Sequence, residues 1–493
     1  MKILFVFPKY PDTFWSFKHA LRFIFKRATN PPLGLLTVAS LVPHDWEKKL
    51  IDMNVSKLKD KHIAWADYVF ISGTSIQKAS VDDVIFRCRT LNVKIVAGGP
   101  LFTSSHDEYD HVDHLVLNEA EITLPRFIDD LKQGKPRHIY TSRAWADLTR
   151  TPIPTWKLLK MKKYAAMNIQ YSRGCPFECD FCDIPMLYGS RTRVKDKEQV
   201  LLELENLYDH GWRGPVFFVD DNFIGNRYNL KKEVLPAIAE WLRIRKYPFT
   251  FFTQASLNLA DDEELMALMV RASFDTVFVG IETPDEESLT ECGKHQNKNR
   301  DLVMCVRKIQ QFGLQVQGGF IVGFDSDPLT IFERQIRFIQ KSGIVTAMVG
   351  LLNAVRGTRL YKRLHDEQRL LEGCTGDNTD CSINFVPVMK RATLLEGYRK
   401  ILRTIYSPDY FYARVKKFLE EYNPLQRKAF RVDLTQIKAF VLSVFWLGFK
   451  EKERFHYWRL FLWSLCTRPR LTPLAVTFAI YGYHFRKVFE GKV

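Results

Sequence analysis

The sequence predicts an α/β protein in three parts: an N-terminal doubly wound parallel sheet, a partial β/α barrel, and a helical C-terminal region. Three observations carry this. Short apolar runs alternate with helical stretches in two successive series, the pattern that builds parallel sheets covered by helices. A connector holding Thr151-Pro-Ile-Pro-Thr-Trp156 separates the two series, and its prolines force their predecessors into extended backbone. From about residue 376 the pattern changes to helices rich in aromatic and basic residues. The expected boundaries in this 493-residue chain are 1–141, 142–163 (linker), 164–375 and 376–493.

In the first series the strands read as residues 2–8, 49–52, 68–72, 93–97 and 114–117. Helices are expected near 33–42, 57–64, 78–91 and 121–133. Open sheets of this kind bind ligands in the crevice outside the strands' carboxyl ends. Gly73-Thr74-Ser75 and Gly98-Gly99-Pro100 fall at those ends, where glycine lets the backbone approach a ligand. In the second series the strands read as 167–172, 216–219, 249–253, 276–281, 318–322 and 346–352. The intervening helices fall near 196–210, 229–244, 261–272, 299–312 and 328–341. Barrel sites sit at carboxyl strand ends. There the polar groups gather: Asp220-Asp221-Asn222, Gln254 to Ser256, Glu282-Thr283, and Gly323 to Asp325.

The most informative stretch is the loop leaving the first barrel strand. Cys175, Cys179 and Cys182 are spaced C-x3-C-x2-C. Three thiolates on one short loop are an iron–sulfur arrangement, whereas a structural zinc site uses four closed ligands. Three ligands leave one iron of a four-iron four-sulfur cluster open. The other cysteines, Cys88, Cys292, Cys305, Cys374, Cys381 and Cys466, show no paired framework among the nine present. With no secretory signal at the start, a cytoplasmic location is expected, in a reducing compartment.

The cysteine loop resembles that of the radical S-adenosylmethionine (SAM) superfamily. In that family the open iron binds the amine and carboxylate of SAM, and an electron from the cluster releases a 5′-deoxyadenosyl radical that takes hydrogen from an unactivated carbon. The resemblance places Asp220 and Asp221 where the family carries a Gly-Gly-Glu-like motif for the SAM amine. It also makes Gly280-Ile-Glu282-Thr283 a SAM contact through Glu282, and Gly319-Phe-Ile-Val-Gly323 the strand whose backbone flanks adenine.

The N-terminal part resembles the cobalamin-binding domain found ahead of many radical SAM cores. The resemblance rests on the first strand, Pro32-Leu-Gly-Leu-Leu36, Ser72-Gly-Thr-Ser-Ile-Gln77, Ala97-Gly-Gly-Pro100 and Asn118-Glu-Ala-Glu121. It implies cobalamin contacts at Asn54, Gly73, Thr74, Ser75, Gly98 and Gly99. Asp52-Met-Asn54-Val-Ser-Lys57 stands where such domains carry Asp-x-His-x-x-Gly, so cobalt would have no protein histidine. Asn378 to Asp380, Asn384-Phe385, Tyr406-Ser-Pro408 and Tyr410 to Arg414 resemble one subgroup, the cobalamin-domain radical SAM proteins that include the hopanoid methylases. The subgroup implies C-methylation of a lipid-like substrate with the methyl relayed through cobalamin, and an electron donor such as flavodoxin or ferredoxin. Ring closure, coupling or rearrangement without methyl transfer is the alternative within the same chemistry.

The net charge of +16 calls for an anionic partner. RNA is one candidate, but no RNA-recognition module is seen, so no nucleic acid is expected. Residues 430–493 favour a membrane surface. Trp446, Trp458 and Trp463 are interleaved with Lys450, Lys452, Arg454, Arg468, Arg470, Arg486 and Lys487, which suits helices at an interface and peripheral contact with the inner face of the cytoplasmic membrane. A helical cap packed on the barrel is the competing reading.

Overall fold

A computed structural model describes residues 1–371, 376–377, 380–424 and 434–490. Cys374, residue 375 and Asn378 lie outside the described residues.

The N-terminal sheet contains β1 (Lys2–Phe7), β2 (Glu47–Asp52), β3 (Tyr68–Ser72), β4 (Lys94–Gly98), β5 (His114–Val116) and β6 (Ile139–Tyr140). Their order is β2-β1-β3-β4-β5-β6, all parallel. The order reverses between β1 and β3, so the binding crevice opens at the carboxyl ends of those strands. Both faces are apolar. Leu4, Val6, Val69 and Ile71 pack on one side, and Ile3, Phe5, Tyr68 and Phe70 on the other. Helices Leu33–Leu41 and Ala120–Lys132 cover the second face, and Lys78–Thr90 covers the first.

After the connector come β7 (Met167–Ile169), β8 (Ser172–Arg173), β9 (Arg193–Val194), β10 (Gly214–Phe218), β11 (Phe249–Gln254), β12 (Phe274–Glu282), β13 (Gln315–Val322) and β14 (Ala347–Leu351). Six of them form a parallel sheet in the order β14-β13-β12-β11-β10-β7, the expected partial barrel. β8 and β9 form a small antiparallel pair that closes the cysteine loop. The helix expected over 229–244 contains a widened turn, Leu230–Val234, before Leu235–Ile244. Pro236 explains it, because its ring and missing N–H cannot join a regular ladder with residue 232.

A six-stranded barrel leaves an open seam between β14 and β7. Here the segment after β1 crosses it. The Trp15 indole donates to Met348 Sδ on β14 at 3.0 Å and meets Phe278 of β12 edge-on at 5.4 Å. Further along, Pro31 O accepts from Asn168 Nδ2 on β7, and Thr29 O from Ala166 N. Helix Thr472–Phe489 backs this arm: Phe485 stacks on Phe14 at 4.3 Å, and His484 Nε2 donates to Phe14 O at 3.0 Å. The C-terminal helices therefore share one core with the barrel.

The tail divides accordingly. Arg486 pairs with Glu453 and Lys487 with Glu490, while Arg468 reaches the carbonyls of Glu420 and Tyr422. Arg486 and Arg468 thus hold neighbouring segments of the tail, while Lys487 makes a surface pair along its own helix. Trp458 is half-buried and donates to Gly448 O, and Trp463 is half-buried; only Trp446 of the three indoles is exposed. Among the described residues no helix is long and apolar enough to cross a membrane.

Candidate active site

The cysteine loop leaves the carboxyl end of β7 and is anchored by two adjacent carboxylates from the end of β10. Asp220 is fully buried and accepts from the backbone N–H groups of Tyr171 and Ser172. Asp221 accepts from Gly174 N at 3.0 Å. Burial pushes Asp220 up to about 7 and Asp221 up to about 6, against the pull of these N–H donors. Gly174 has φ 88°, and a Cβ there would press on the carbonyls of Arg191, Gly189 and Tyr188 within 3.0 Å. Only glycine turns the chain so tightly just before Cys175.

The three thiols lie within electrostatic reach of one another, and burial raises each of them, Cys182 to about 12. Among the described residues no three His, Cys, Asp or Glu side chains are grouped closely enough to share a single metal ion. A four-iron four-sulfur cluster asks for something else, one thiolate per iron from a single loop, and this loop supplies that donor set. Cys179 is flanked by residues the sequence reading did not single out. Gln296 Nε2 points at its sulfur at 4.0 Å. The buried Lys294 ammonium lies within its field and donates to Glu282 Oε1 at 2.7 Å. Glu282 itself has φ 64°, a left-handed conformation that costs a non-glycine residue energy and marks a constrained site.

Of the glycines proposed to flank SAM, Gly319 faces the barrel interior, where a Cβ would lie 2.8 Å from the Phe278 ring. Gly323, with φ 109°, lies beyond β13; its N–H donates to Asp327 and its position packs against Leu394. The structure thus gathers the three cysteines, Asp220, Asp221 and Glu282, and sets Gly323 further along, under helix Arg391–Ile405.

The N-terminal sheet faces this loop. A cavity of about 320 Å³ opens between the two. Leu35, Val38, Phe70, Val96 and Leu124 line its apolar part, between the second face of the sheet and its helices. Ser72, Gly98, Gly99, Asn118, Glu119, Arg173 and Asp221 form its polar part. A Cβ on Gly98 would sit 2.5 Å from Val116 O, and one on Gly99, at φ 92°, 2.5 Å from Ser72 Oγ. Gly73 lies beside this edge against Val81, while Thr74 is held by Gln77 Oε1 and Ser75 is exposed. Asn54 is committed elsewhere: it accepts from Tyr10 N and donates to Pro8 O and Asp52 Oδ1. Its amide fixes the turn after β2.

An ion network joins sheet and loop. Arg173, two residues before Cys175, donates to Glu119 Oε1 and Glu121 Oε1, each at 2.9 Å. Arg193 of β9 donates to both oxygens of Glu119, at 2.8 and 2.9 Å. The Asn118-Glu-Ala-Glu121 stretch carried this signal in the sequence, but its partner lay more than fifty positions away.

Comparison with known proteins agrees. Residues 169–351 match the model of the radical SAM superfamily, and residues 358–492 match a domain of unknown function (DUF4070). An uncharacterised methyltransferase of Synechocystis sp. is 39% identical, over 99% of this chain and 92% of that one. The chain belongs to the radical SAM superfamily. It is a radical SAM enzyme in three parts, as the sequence predicts. The hopanoid C-2 methylase of Rhodopseudomonas palustris is 32% identical, over 94% of this chain and 89% of its own. Among solved structures, the radical SAM methyltransferase TsrM of Kitasatospora setae, with cobalamin and a [4Fe-4S] cluster bound, superposes with TM-score 0.60 at 15% identity, over 99% of each chain. The cobalamin-dependent radical enzyme OxsB superposes with TM-score 0.63 at 15% identity, over 100% of this chain and 81% of its own. The fold of this chain is therefore that of cobalamin-binding radical SAM enzymes.

Proposed function

We propose that this enzyme methylates an unactivated carbon of a lipid-like substrate, in the cytoplasm, with peripheral contact at the inner face of the cytoplasmic membrane. The observation that carries the reading is the juxtaposition of the cysteine loop and the cavity-bearing edge of the N-terminal sheet, locked by Glu119 and Arg173. The 32% identity to a hopanoid C-2 methylase supports the substrate class.

When bound, the cluster supplies the electron that cleaves SAM, and cobalamin carries the methyl group. Cys175, Cys179 and Cys182 hold the cluster. Asp220 and Asp221 position their loop through its backbone. Asp221 and Glu282 face SAM, and Lys294 orients the Glu282 carboxylate. The apolar cavity lined by Ser72, Gly98 and Gly99 would take the cobalamin tail, and the two glycines let this edge pack closely on Val116 O and Ser72 Oγ, where a Cβ would clash. Gly73, Thr74 and Ser75 flank the same edge. Asn54 supports from behind by fixing the β2 turn. The barrel interior offers an apolar wall for the substrate, in which Phe217 stacks on Phe252 at 4.7 Å and Phe278 meets Trp15.

The test is anaerobic reconstitution with cluster, cobalamin, SAM, a flavodoxin or ferredoxin reductant and lipid extract. The expected result is 5′-deoxyadenosine together with a lipid heavier by one methylene unit. Deoxyadenosine with a lipid of unchanged formula would replace methylation by rearrangement.

A further inference from the structure

Exposed large apolar side chains are concentrated in one region. Leu434, Ile437, Val441, Phe445 and Phe449 recur every three or four residues along helix Leu434–Ser443 and the widened turn Val444–Lys450 that continues it. That spacing places them on one face. Phe455 and Leu462, seven residues apart, share one face of helix Arg454–Thr467, and the rings of Phe440 and Phe461 meet between the two helices at 5.6 Å. The first helix also packs on the arm's Arg22–Ile24 turn. The next residue is Phe25, 63% exposed at φ 57°. A bulky residue in a left-handed conformation is costly, and here the cost holds an aromatic ring out in solvent.

The exposed charges around this face are mostly positive, with Glu490 beside Lys452 the exception. Lys438, Lys450, Lys452, Arg454 and Arg459 are exposed, while Glu451 and Glu453 are partly buried and Glu453 is engaged by Arg486. Lys450 lies over the Phe445 and Trp446 rings at 4.7 and 4.6 Å, and Arg454 over Phe455 at 5.2 Å, so cation and apolar surface are presented together. Exposed apolar faces rimmed by cations are the chemistry of an interfacial anchor.

We infer that Phe25 of the arm and the two helices form a composite docking face for an anionic lipid bilayer. The inference rests on the peripheral-membrane reading above and names the surface responsible. The same arm carries Trp15 into the barrel seam ten residues earlier, so bilayer contact and the barrel interior are joined by one short segment.

The test is co-sedimentation of the cluster-loaded full chain with phosphatidylcholine vesicles, with and without phosphatidylglycerol. Binding is expected to the anionic vesicles, weakened but not abolished by salt. F25D, F449D and F455D, each at a ring more than half exposed, should each weaken binding by about tenfold or more. F86D, at an equally exposed ring on the N-terminal sheet domain, should bind like the parent chain. Cluster absorbance must stay unchanged in all four, which establishes folding. If the parent chain binds anionic vesicles and the three variants bind equally well, this face is wrong and the peripheral-membrane reading stands. If the parent chain binds neither vesicle, both fall. Concentration-dependent dimerisation abolished by the same variants, without vesicle binding, would assign the face to a second copy and overturn the proposal.

Discussion

Replacing Glu119 by Gln tests how the two sheets are held in register. Glu119 has 1% of its side chain exposed and serves Arg173, Arg193 and the N–H of Ala146. With Glu121 it completes a neutral set of two carboxylates and two guanidiniums, none more than 17% exposed. Removing one carboxylate charge leaves a net positive charge in a site with little water. Breaking a buried ion pair from one side costs about 3–5 kcal/mol. Here Arg173 keeps Glu121, and Arg193 keeps the carbonyls of Ala146 and Tyr188, so the expected loss falls to about 2–3 kcal/mol. Urea unfolding of the cluster-free chain, followed by tryptophan fluorescence, should show a lower midpoint for Glu119→Gln. Limited proteolysis should become faster within 142–163. Adding Arg193→Gln restores neutrality, so the double variant should be less destabilised than the sum of the singles, with a coupling of about 1–3 kcal/mol. A Glu119→Gln chain within about 0.5 kcal/mol of the parent would refute the reasoning, since surface-like sites alone tolerate such a change.

Alanine at Cys175, Cys179 or Cys182 should each abolish cluster absorbance and SAM cleavage. Alanine at Cys292 should not, because its thiol, although within electrostatic reach of Cys179, lies off the loop and donates to Leu289 O. Asp220→Asn should lower cluster loading and stability by about 1–3 kcal/mol, since an amide N–H would face the N–H of Tyr171 or Ser172; iron content per chain is the readout. His484, fully buried, is lowered to about 4 chiefly by burial, against 6.5 when unfolded. Its folded pKa is depressed, so its contribution is complete above pH 6.5 and lost as pH falls toward 4, as the unfolded chain takes the proton first. The gap amounts to about 3 kcal/mol, and His484→Gln should flatten the stability profile measured between those limits.

Much of the architecture is legible in the residues because buried parallel strands are nearly continuous apolar runs, as Ile3–Val6 and Val69–Ile71 show. β6 escapes because two residues carry no period, and it lies just inside the expected boundary at residue 141. The β8–β9 pair is equally short. At the site, the cysteines declare themselves by spacing, whereas the work of Asp220 depends on complete burial beneath a loop 48 residues earlier. Lys294 and Gln296 follow the short helix Glu286–Glu291, which the sequence reading does not single out. Tryptophans in the tail look alike in sequence; packing alone separates exposed Trp446 from half-buried Trp458 and Trp463.

The arm across the barrel seam has a consequence for how the chain is made. Phe14 emerges early in synthesis, yet its ring partner Phe485 and the His484 imidazole that it binds come 470 and more residues later. Trp15 waits for Met348. The N-terminal sheet can pair as soon as its own strands exist, and the arm meets β7 and β14 as they appear, but Phe14 gains its ring and imidazole partners only once the last helix has left the ribosome. Contacts of such long sequence separation form late, and the surfaces that await them stay open meanwhile. The backing of the arm is therefore a late contact, and a chain cut short before residue 472 retains every cluster ligand and the partners of Trp15 yet lacks the helix that holds Phe14 in place.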